Sequence, residues 1–500
     1  MSARAGEGKK ESRGEAKGLG GRALLLGAGN AFDYAMQFLL PVVLARTLDA
    51  ASFGQYRLLW LAIATVMAIA PLGIPQGLFY YLPRAAPAEK RLYVHHSLLW
   101  LGIAGLIAAW AVSPLNPFLP RAMVKLSEFG ALIPAFVALW VASAMLDMLP
   151  KSEERLVYQA TMQMSLATLR AATLAVGALM TGDLRVLIWL LLALVALKIA
   201  LLLAYIARHH GLGGAWLERK VFARQFIHCA PFGLSGSLYG LRGQSDQWVA
   251  ASLFALHNFA AFSIAAVLAP LVNLFRMSVN DAFLPSMSRL HAAGDVRGVV
   301  RLNTRANLLA ATFLCPLLAF AFAFAEDLIT FVYTATYVDA APVMRLYAIG
   351  MTGGLIEIGS FVLLLHQGAF AIGVNAVALA ISIALSWTGA IHFGLPGAAA
   401  GSVVAIYLDR YAHLKRVSAL TRIPMGELQD WRSLAGRVGA AALSAGFARI
   451  VVDAALRGAP PFGRLALGGL VLAALYGALL LGSRSGREAI GALLGHGNRA

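Results

Sequence analysis

The stretch that decides the fold runs from Phe32 to Pro83 and reads FDYAMQFLLPVVLARTLDAASFGQYRLLWLAIATVMAIAPLGIPQGLFYYLP. It holds two apolar segments that are joined by a short turn around Asp49. The first segment carries an ionisable residue, Asp33, and the second is interrupted by two prolines and two glycines in the run PLGIPQG. An acidic residue in one membrane helix and a bend in the neighbouring helix predict helices that move around a polar cavity.

The composition of the whole chain is that of a membrane protein. Of its 500 residues, 59% are hydrophobic and 13% are charged, and the mean hydropathy is +0.72. Soluble globular proteins have about 25% charged residues. Apolar runs close to the ~20 residues that cross a bilayer recur along nearly the whole length. We therefore predict an all-α polytopic membrane protein.

The apolar runs predict about 14 transmembrane helices. Their predicted ranges are 23–45, 56–81, 94–113, 129–149, 158–180, 184–206, 227–252, 259–280, 305–325, 342–365, 370–392, 395–414, 433–455 and 461–482.

The order of these segments predicts two pseudo-symmetric six-helix lobes plus two C-terminal helices. The turn LDAASFGQY at residues 48–56 aligns weakly with FALHNFAAF at 254–262, which suggests a parallel repeat with the binding site between its halves. The predicted regions are a disordered basic tail (1–21), an N-lobe of helices 1–6 (22–206), a cytoplasmic interlobe linker (207–225), a C-lobe of helices 7–12 (226–417), two extra helices (418–482) and a cytoplasmic tail (483–500).

The basic residues are distributed unevenly between alternate loops. With a cytoplasmic N-terminus, the inner segments hold 28 Lys and Arg residues and the outer loops hold 7. Because cytoplasmic loops carry the excess of Lys and Arg, both termini are predicted to be cytoplasmic. The net charge of +17 then reflects topology and contacts with membrane lipids, and we expect no nucleic-acid partner.

Polar and charged side chains recur on single faces of five predicted helices. A charge at the bilayer centre costs about 3 kcal/mol, so each needs a partner, a wet cavity or a functional role. The candidate substrate-binding residues taken from these faces are Asn30, Asp33, Gln37, Gln163, Arg170, Tyr239, Arg242, Asp246, Arg276 and Glu357.

These residues predict a hydrophilic lumen. Its arginines would attract a pyrophosphate and anionic sugars, because a guanidinium stays charged and bonds phosphate oxygens bidentately. The carboxylates would bind a coupling cation, a proton or sodium, or the hydroxyl groups of sugars.

Purely structural roles stay open for several of the same residues. Arg242 and Asp246, four positions apart, would neutralise each other, as would Arg449 and Asp453. Asp33 would be a packing residue paired with Arg170.

Other polar residues are expected to have no part in substrate binding. Lys198 is expected to extend along the inner half of its helix towards the lipid headgroups. His95 and His96 are expected at the membrane interface, since no acid or further histidine stands at ligand spacing. No metal site, no cofactor and no P-loop for ATP hydrolysis is predicted.

Two of the quoted runs, VVLARTLDAASFGQYRLLW and PLGIPQGLFYYLP, resemble the opening of the polysaccharide flippases. These form the oligosaccharide branch of the multidrug/oligosaccharidyl-lipid/polysaccharide exporter superfamily. Four later stretches fit the same pattern in order, at 230–265, 283–295, 326–350 and 393–410, so the resemblance spans about residues 22–480. The run YTATYVDA, at 333–340, departs from it by carrying Thr and Ala where relatives usually carry Gly.

The resemblance implies twelve or fourteen helices in two lobes around a central cavity, in the inner membrane of a bacterium. It implies a transporter, not an enzyme, which flips a polyprenyl-pyrophosphate-linked oligosaccharide for surface polysaccharide biosynthesis by alternating access. Polysaccharide biosynthesis enzymes would be its partners. The alternatives are a drug or organic cation antiporter on the same fold, and a membrane glycan polymerase or ligase.

Overall fold

The computed structural model describes residue 29, residues 31–211 and residues 213–482. The predicted tails at 1–21 and 483–500 and the candidate residue Asn30 lie outside these described residues. The described chain is helical, with no β-strand, and it divides into two compact units, Met1–Ser237 and Leu238–Ala500. The all-α prediction is confirmed.

The first unit contains nine helices within the described ranges and the start of a tenth. They are α1 (31–47), α2 (Ala50–Ile69), α3 (Ile74–Tyr81), α4 (Pro87–Val112), α5 (Arg121–Val124), α6 (Leu132–Ser143), α7 (Met145–Ser152), α8 (Leu156–Thr181), α9 (Leu184–His209) and α10 (Arg219–Arg242).

The second unit begins within α10. Its other helices are α11 (Ser245–Leu253), α12 (Leu256–Ala265), α13 (Ala269–Ala292), α14 (Val296–Ala323), α15 (Ala325–Val332), α16 (Ala341–Gly353), α17 (Gly359–Leu364), α18 (Gly368–Thr421), α19 (Trp431–Ala455) and α20 (Pro461–Gly482).

Ten helices of the described chain are long and apolar enough to cross a membrane. The count of 14 stays a prediction, because several predicted spans are broken into shorter helices. The second predicted span is α2 followed by α3, the seventh is α10 followed by α11, and the tenth is α16 followed by α17.

The 54-residue helix α18 is a hairpin of two helices. The chain turns at Gly394, where φ is 65° and ψ is −144°. A Cβ atom on Gly401 would lie 2.2 Å from the backbone nitrogen of Ser386, although 15 residues of straight helix would separate these positions by about 22 Å. The predicted eleventh and twelfth helices are therefore two packed segments, whose small residues let the backbones approach closely.

The chain is interrupted between α2 and α3, and side chains from other helices of the first unit bond to the backbone there. Leu72 and Gly73 both have positive φ, 44° and 74°. The break frees the carbonyl oxygens of Ala68 and Ala70, which accept hydrogen bonds from the Ser237 hydroxyl (2.6 Å) and the Trp100 indole (2.9 Å). The bend predicted from the run PLGIPQG is thus present and its backbone groups are satisfied.

The predicted linker is docked on α4. Trp216 stacks on His95, with ring centroids 4.4 Å apart, and the backbone N–H of Glu218 donates to Nε2 of His96 (3.0 Å). Both histidines are fully buried. The linker therefore covers both histidines, and their position at the membrane interface stays a prediction.

The two last helices pack against α14 through an apolar cluster and close a ring of charges. Asp327 accepts hydrogen bonds from Arg449 (2.6 Å) and Arg464 (2.8 Å), and Asp453 accepts from the same two arginines at 2.9 and 2.7 Å. The predicted Arg449–Asp453 pair is therefore present within a larger network that joins α15, α19 and α20.

Candidate functional site

Each unit contains its own polar cavity. The N-terminal cavity, of about 290 Å³, lies within the first unit and is lined by four of the predicted residues: Asp33, Gln37, Gln163 and Arg170. Side chains that the sequence did not single out as substrate-binding complete it: Trp140, Asp147, Lys151 and Lys198.

Asp33, Arg170 and Gln37 form a hydrogen-bonded cluster at one side of the N-terminal cavity. Arg170 donates to Oδ1 of Asp33 (3.3 Å), and Gln37 donates to Oδ2 of the same carboxylate (2.8 Å). The guanidinium also lies 5.8 Å from the ring centre of Trp60. The packing pair of Asp33 with Arg170 is thus present, and the pair still borders the cavity.

Lys198 forms the second ion pair of this cavity. Its ammonium group lies 2.7 Å from Oδ2 of Asp147 and 5.4 Å from the ring centre of Trp140. The expectation that Lys198 extends to the lipid headgroups is wrong, because the carboxylate of α7 holds it beside the cavity. A lysine and an acid on two different predicted helices gave no sequence signal of this pairing.

The C-terminal cavity, of about 390 Å³, lies within the second unit. It is lined by the predicted residues Tyr239, Arg242, Asp246 and Arg276. Glu357 is not part of the lining and lies behind Arg276. Further lining residues, missed from the sequence, include Asn273, Tyr347, Ser402 and Arg410.

Arg242 and Asp246 do not pair with each other. Helix α10 ends at Arg242 and α11 begins at Ser245, so the four-residue helical spacing between them is interrupted. Arg242 instead contacts Oδ1 of Asp409 at 2.8 Å. The alternative in which the two residues neutralise each other is therefore wrong.

Asp246 is a buried carboxylate that is held by neutral donors. Its Oδ2 accepts hydrogen bonds from the hydroxyls of Tyr347 (2.8 Å) and Ser402 (2.5 Å), and its Oδ1 accepts from the N–H of Gln247 (2.8 Å). Its exposed fraction is 3%. Within the described residues, no Lys, Arg or His forms an ion pair with it.

Arg276 links the cavity to the break between α16 and α17. One of its guanidinium nitrogens lies 3.1 Å from Oε2 of Glu357 and donates to the carbonyl oxygen of Gly354, also at 3.1 Å. Glu357 stands in the break itself, so the expectation that it lies on the face of a continuous helix is wrong.

The lining of the two cavities is cationic on balance. Among described residues, the C-terminal cavity has three arginines and one carboxylate in its wall, since Asp409 and Glu357 lie behind their partners. The N-terminal cavity has three cations and two carboxylates. No group of three or more His, Cys, Asp and Glu side chains that could hold a metal ion occurs in the described part of the chain.

The missed residue Arg410 had a sequence signal that could have found it. It ends the run FGLPGAAAGSVVAIYLDR, where an adjacent acid and arginine stand inside a predicted membrane helix. An ionisable residue at such a position is a functional candidate by itself.

Sequence comparison identifies one family. The model of a family described as "Polysaccharide biosynthesis protein" matches residues 20–291. No curated protein matches the chain in sequence.

The fold is similar to that of several solved membrane proteins. A structure of the lipid II flippase MurJ, in an inward closed conformation, matches with a TM-score of 0.64 at 12% identity, covering 90% of this chain and 98% of that chain. An inward-facing multidrug resistance MATE family transporter of the MOP superfamily matches with a TM-score of 0.59 at 14% identity, covering 78% and 96%. A MOP superfamily transporter from Pyrococcus furiosus matches with a TM-score of 0.51 at 13% identity, covering 80% and 95%. At such identities the likeness concerns the fold alone, which is that of a multi-pass membrane protein.

Proposed function

Because the chain belongs to the family of polysaccharide biosynthesis proteins, we propose that it is a flippase for a polyprenyl-pyrophosphate-linked oligosaccharide. The substrate's headgroup would cross the membrane through the protein while the prenyl chain stays in lipid, by alternating access. The fold supports this proposal, because the solved proteins that share it are flippases and transporters.

The wall of the C-terminal cavity is the observation that carries the proposal. Three guanidinium groups and one carboxylate face it. Such a wall attracts anions, and planar guanidinium groups suit the oxygens of a pyrophosphate. The headgroup of the proposed substrate contains such a pyrophosphate.

The N-terminal cavity supports binding of the sugars. Asp33, Gln37 and Gln163 bring carboxylate and amide oxygens to its wall. Such oxygens accept hydrogen bonds from sugar hydroxyls, and amide N–H groups donate to them.

We assign the coupling cation, a proton or sodium, to Asp246. Its carboxylate is buried and accepts its hydrogen bonds from two hydroxyl groups and a backbone N–H. A buried carboxylate with no charged partner favours binding of a proton or a small cation.

The proposal includes the placement of the protein. The charge asymmetry of the loops supports an inner-membrane location with both termini cytoplasmic. We keep the predicted lobes, 22–206 and 226–417, and the linker between them as part of the proposal. The enzymes that assemble and polymerise the oligosaccharide are the expected partners, and the protein itself would catalyse no reaction.

A drug or cation antiporter on the same fold is the second candidate, and the cavities disfavour it. Both carboxylates of the N-terminal cavity already contact a cation, Asp33 with Arg170 and Asp147 with Lys198. A cationic drug would have to displace these partners. A glycan polymerase or ligase is the third candidate.

The test is export in a deletion strain that is complemented with variants. Arg170→Glu should abolish surface glycan and leave lipid-linked oligosaccharide at the inner leaflet, with the protein folded and at normal level. Arg345→Glu is the matched control, since Arg345 pairs with Glu326 (2.6 Å) and lines neither cavity. Normal surface glycan with Arg170→Glu would remove the N-terminal cavity from the proposal.

The same strain separates the other candidates. Drug hypersensitivity together with normal surface glycan on deletion would favour the antiporter. Glycan bond formation by the purified protein from a labelled lipid-linked sugar would favour the polymerase or ligase.

A further inference from the structure

The three arginines of the C-terminal cavity differ in what they already contact. Nη1 of Arg242 lies 2.8 Å from a carboxylate oxygen of Asp409, a close ion pair without the geometry of a hydrogen bond. Arg276 lies 3.1 Å from a carboxylate oxygen of Glu357 and also donates to a backbone carbonyl. Both guanidinium groups are therefore held by acids of the protein itself.

Arg410 is placed differently. Its side chain donates no hydrogen bond to any part of the chain that the structure describes, and its Nε is buried without a partner. Among the described residues, its closest carboxylate oxygen is Oδ2 of Asp409, 3.9 Å from Nη1, which is beyond hydrogen-bond distance. Only 16% of its side chain is exposed.

The other carboxylate oxygen of Asp409, Oδ1, already has two close contacts. This oxygen lies 2.8 Å from Nη1 of Arg242 and 3.3 Å from Nδ1 of His413. The carboxylate is buried, with 4% of its side chain exposed. The charge of this carboxylate attracts the guanidinium of Arg410 and keeps it near the cavity, but the N–H groups of Arg410 form no hydrogen bond with it.

A largely buried guanidinium that borders a cavity with unused N–H groups needs an acceptor, because an unsatisfied buried donor is costly. We infer that Arg410 is the residue of this cavity that binds the phosphate oxygens of the substrate, and that Arg242 and Arg276 mainly hold the cavity together. The inference rests on the proposed function and narrows it to one anchoring side chain. The class of ligand is a diphosphate ester.

The inference separates two kinds of variant. Removing the charge of Arg242 would leave the buried carboxylate of Asp409 without its close partner, which destabilises the fold. Removing the charge of Arg410 breaks no hydrogen bond of the described chain, so its main cost should fall on ligand binding.

The experiment uses the purified full chain in nanodiscs of zwitterionic lipid. The probe is a sugar-free polyprenyl pyrophosphate, and the polyprenol of the same length is the neutral control. Arg410→Gln should weaken binding of the pyrophosphate at least tenfold, leave binding of the polyprenol unchanged and leave the thermal unfolding midpoint close to that of the wild type. Arg410→Lys, which keeps the charge but loses the planar fork, should recover only part of the affinity. Arg242→Gln should instead lower the unfolding midpoint.

Different results would overturn the inference or the proposed function. Equal pyrophosphate affinity of the wild type and Arg410→Gln would overturn the role of Arg410 while leaving the flippase proposal in place. Failure of the wild type to bind the pyrophosphate better than the polyprenol would overturn both. Full displacement of the pyrophosphate by phosphatidylglycerol would show that Arg410 holds a membrane lipid headgroup, which also overturns the inference.

Discussion

Replacing Gly233 by alanine should push α10 away from the break between α2 and α3. A Cβ atom there would lie 2.1 Å from the carbonyl carbon and 2.3 Å from the carbonyl oxygen of Leu72, and 2.6 Å from the nitrogen of Gly73. All three atoms belong to the backbone of the α2–α3 break. Ordinary contacts of a Cβ atom begin near 3.4 Å, so α10 would have to move by about 1.3 Å.

The cost follows from what this movement disturbs. Overpacking of a close contact costs about 1–3 kcal/mol. The movement also stretches the 2.6 Å hydrogen bond from Ser237 to Ala68, which contributes about 1 kcal/mol. We expect Gly233→Ala to lower the stability of the first unit by about 3 kcal/mol, or about 10 °C in the unfolding midpoint at roughly 3 °C per kcal/mol.

Gly236 is the matched control on the same helix. A Cβ atom at Gly236 would have no heavy atom within 4 Å outside its own local helix. Gly236→Ala should leave the unfolding midpoint unchanged or raise it, because alanine favours helix by up to about 1 kcal/mol. Tryptophan fluorescence of the two purified variants during heating measures the difference. A midpoint for Gly233→Ala at or above that of Gly236→Ala would refute the close packing of α10 on the break.

Two further predictions concern single charges outside the cavities. Asp327→Asn should cost about 3 kcal/mol, because it leaves Arg449 and Arg464 with one carboxylate between them, and a lower unfolding midpoint without a change in either cavity's ligand binding would check it. Asp49→Ala should cost about 1 kcal/mol, because Oδ1 of Asp49 accepts the N–H groups of the first turn of α2 at 2.9 and 3.0 Å. Hydrogen bonding from Ser52 lowers the pKa of Asp49, so this stability is present above the usual carboxyl pKa and is lost as the pH falls through the lowered value. A midpoint difference between the wild type and Asp49→Ala that persists unchanged at pH 2 would contradict this account.

The fold class and much of the element order were accessible from the sequence because they depend on local composition. Apolar runs of membrane length and the glycine- and proline-rich run PLGIPQG predict helices and a bend without knowledge of neighbours. Partners of charged residues depend on which helices meet. The pairs of Arg242 with Asp409 and of Lys198 with Asp147 join residues that are 167 and 51 positions apart, so no helical spacing rule reaches them.

Helical spacing also failed where helices are interrupted. The spacing of Arg242 and Asp246 predicts one face only if the helix continues, and α10 ends at Arg242. The same holds for Glu357, which stands between α16 and α17. Polar residues at helical spacing therefore share a face only where no break separates them, as the breaks after Arg242 and after Gly353 do here.

The breaks and the charges occur together for a physical reason. A broken membrane helix exposes backbone groups that lipid cannot satisfy. In the second unit, Arg276 donates to the carbonyl oxygen of Gly354, and the amide of Asn303 donates to the carbonyl oxygen of Glu357 (3.0 Å). The polar side chains that satisfy a break also make the nearby cavity polar. A charge that satisfies the protein's own backbone is poorly available to a ligand, which is why Arg410, with no such hydrogen bond in the described chain, is a better candidate for binding than Arg276.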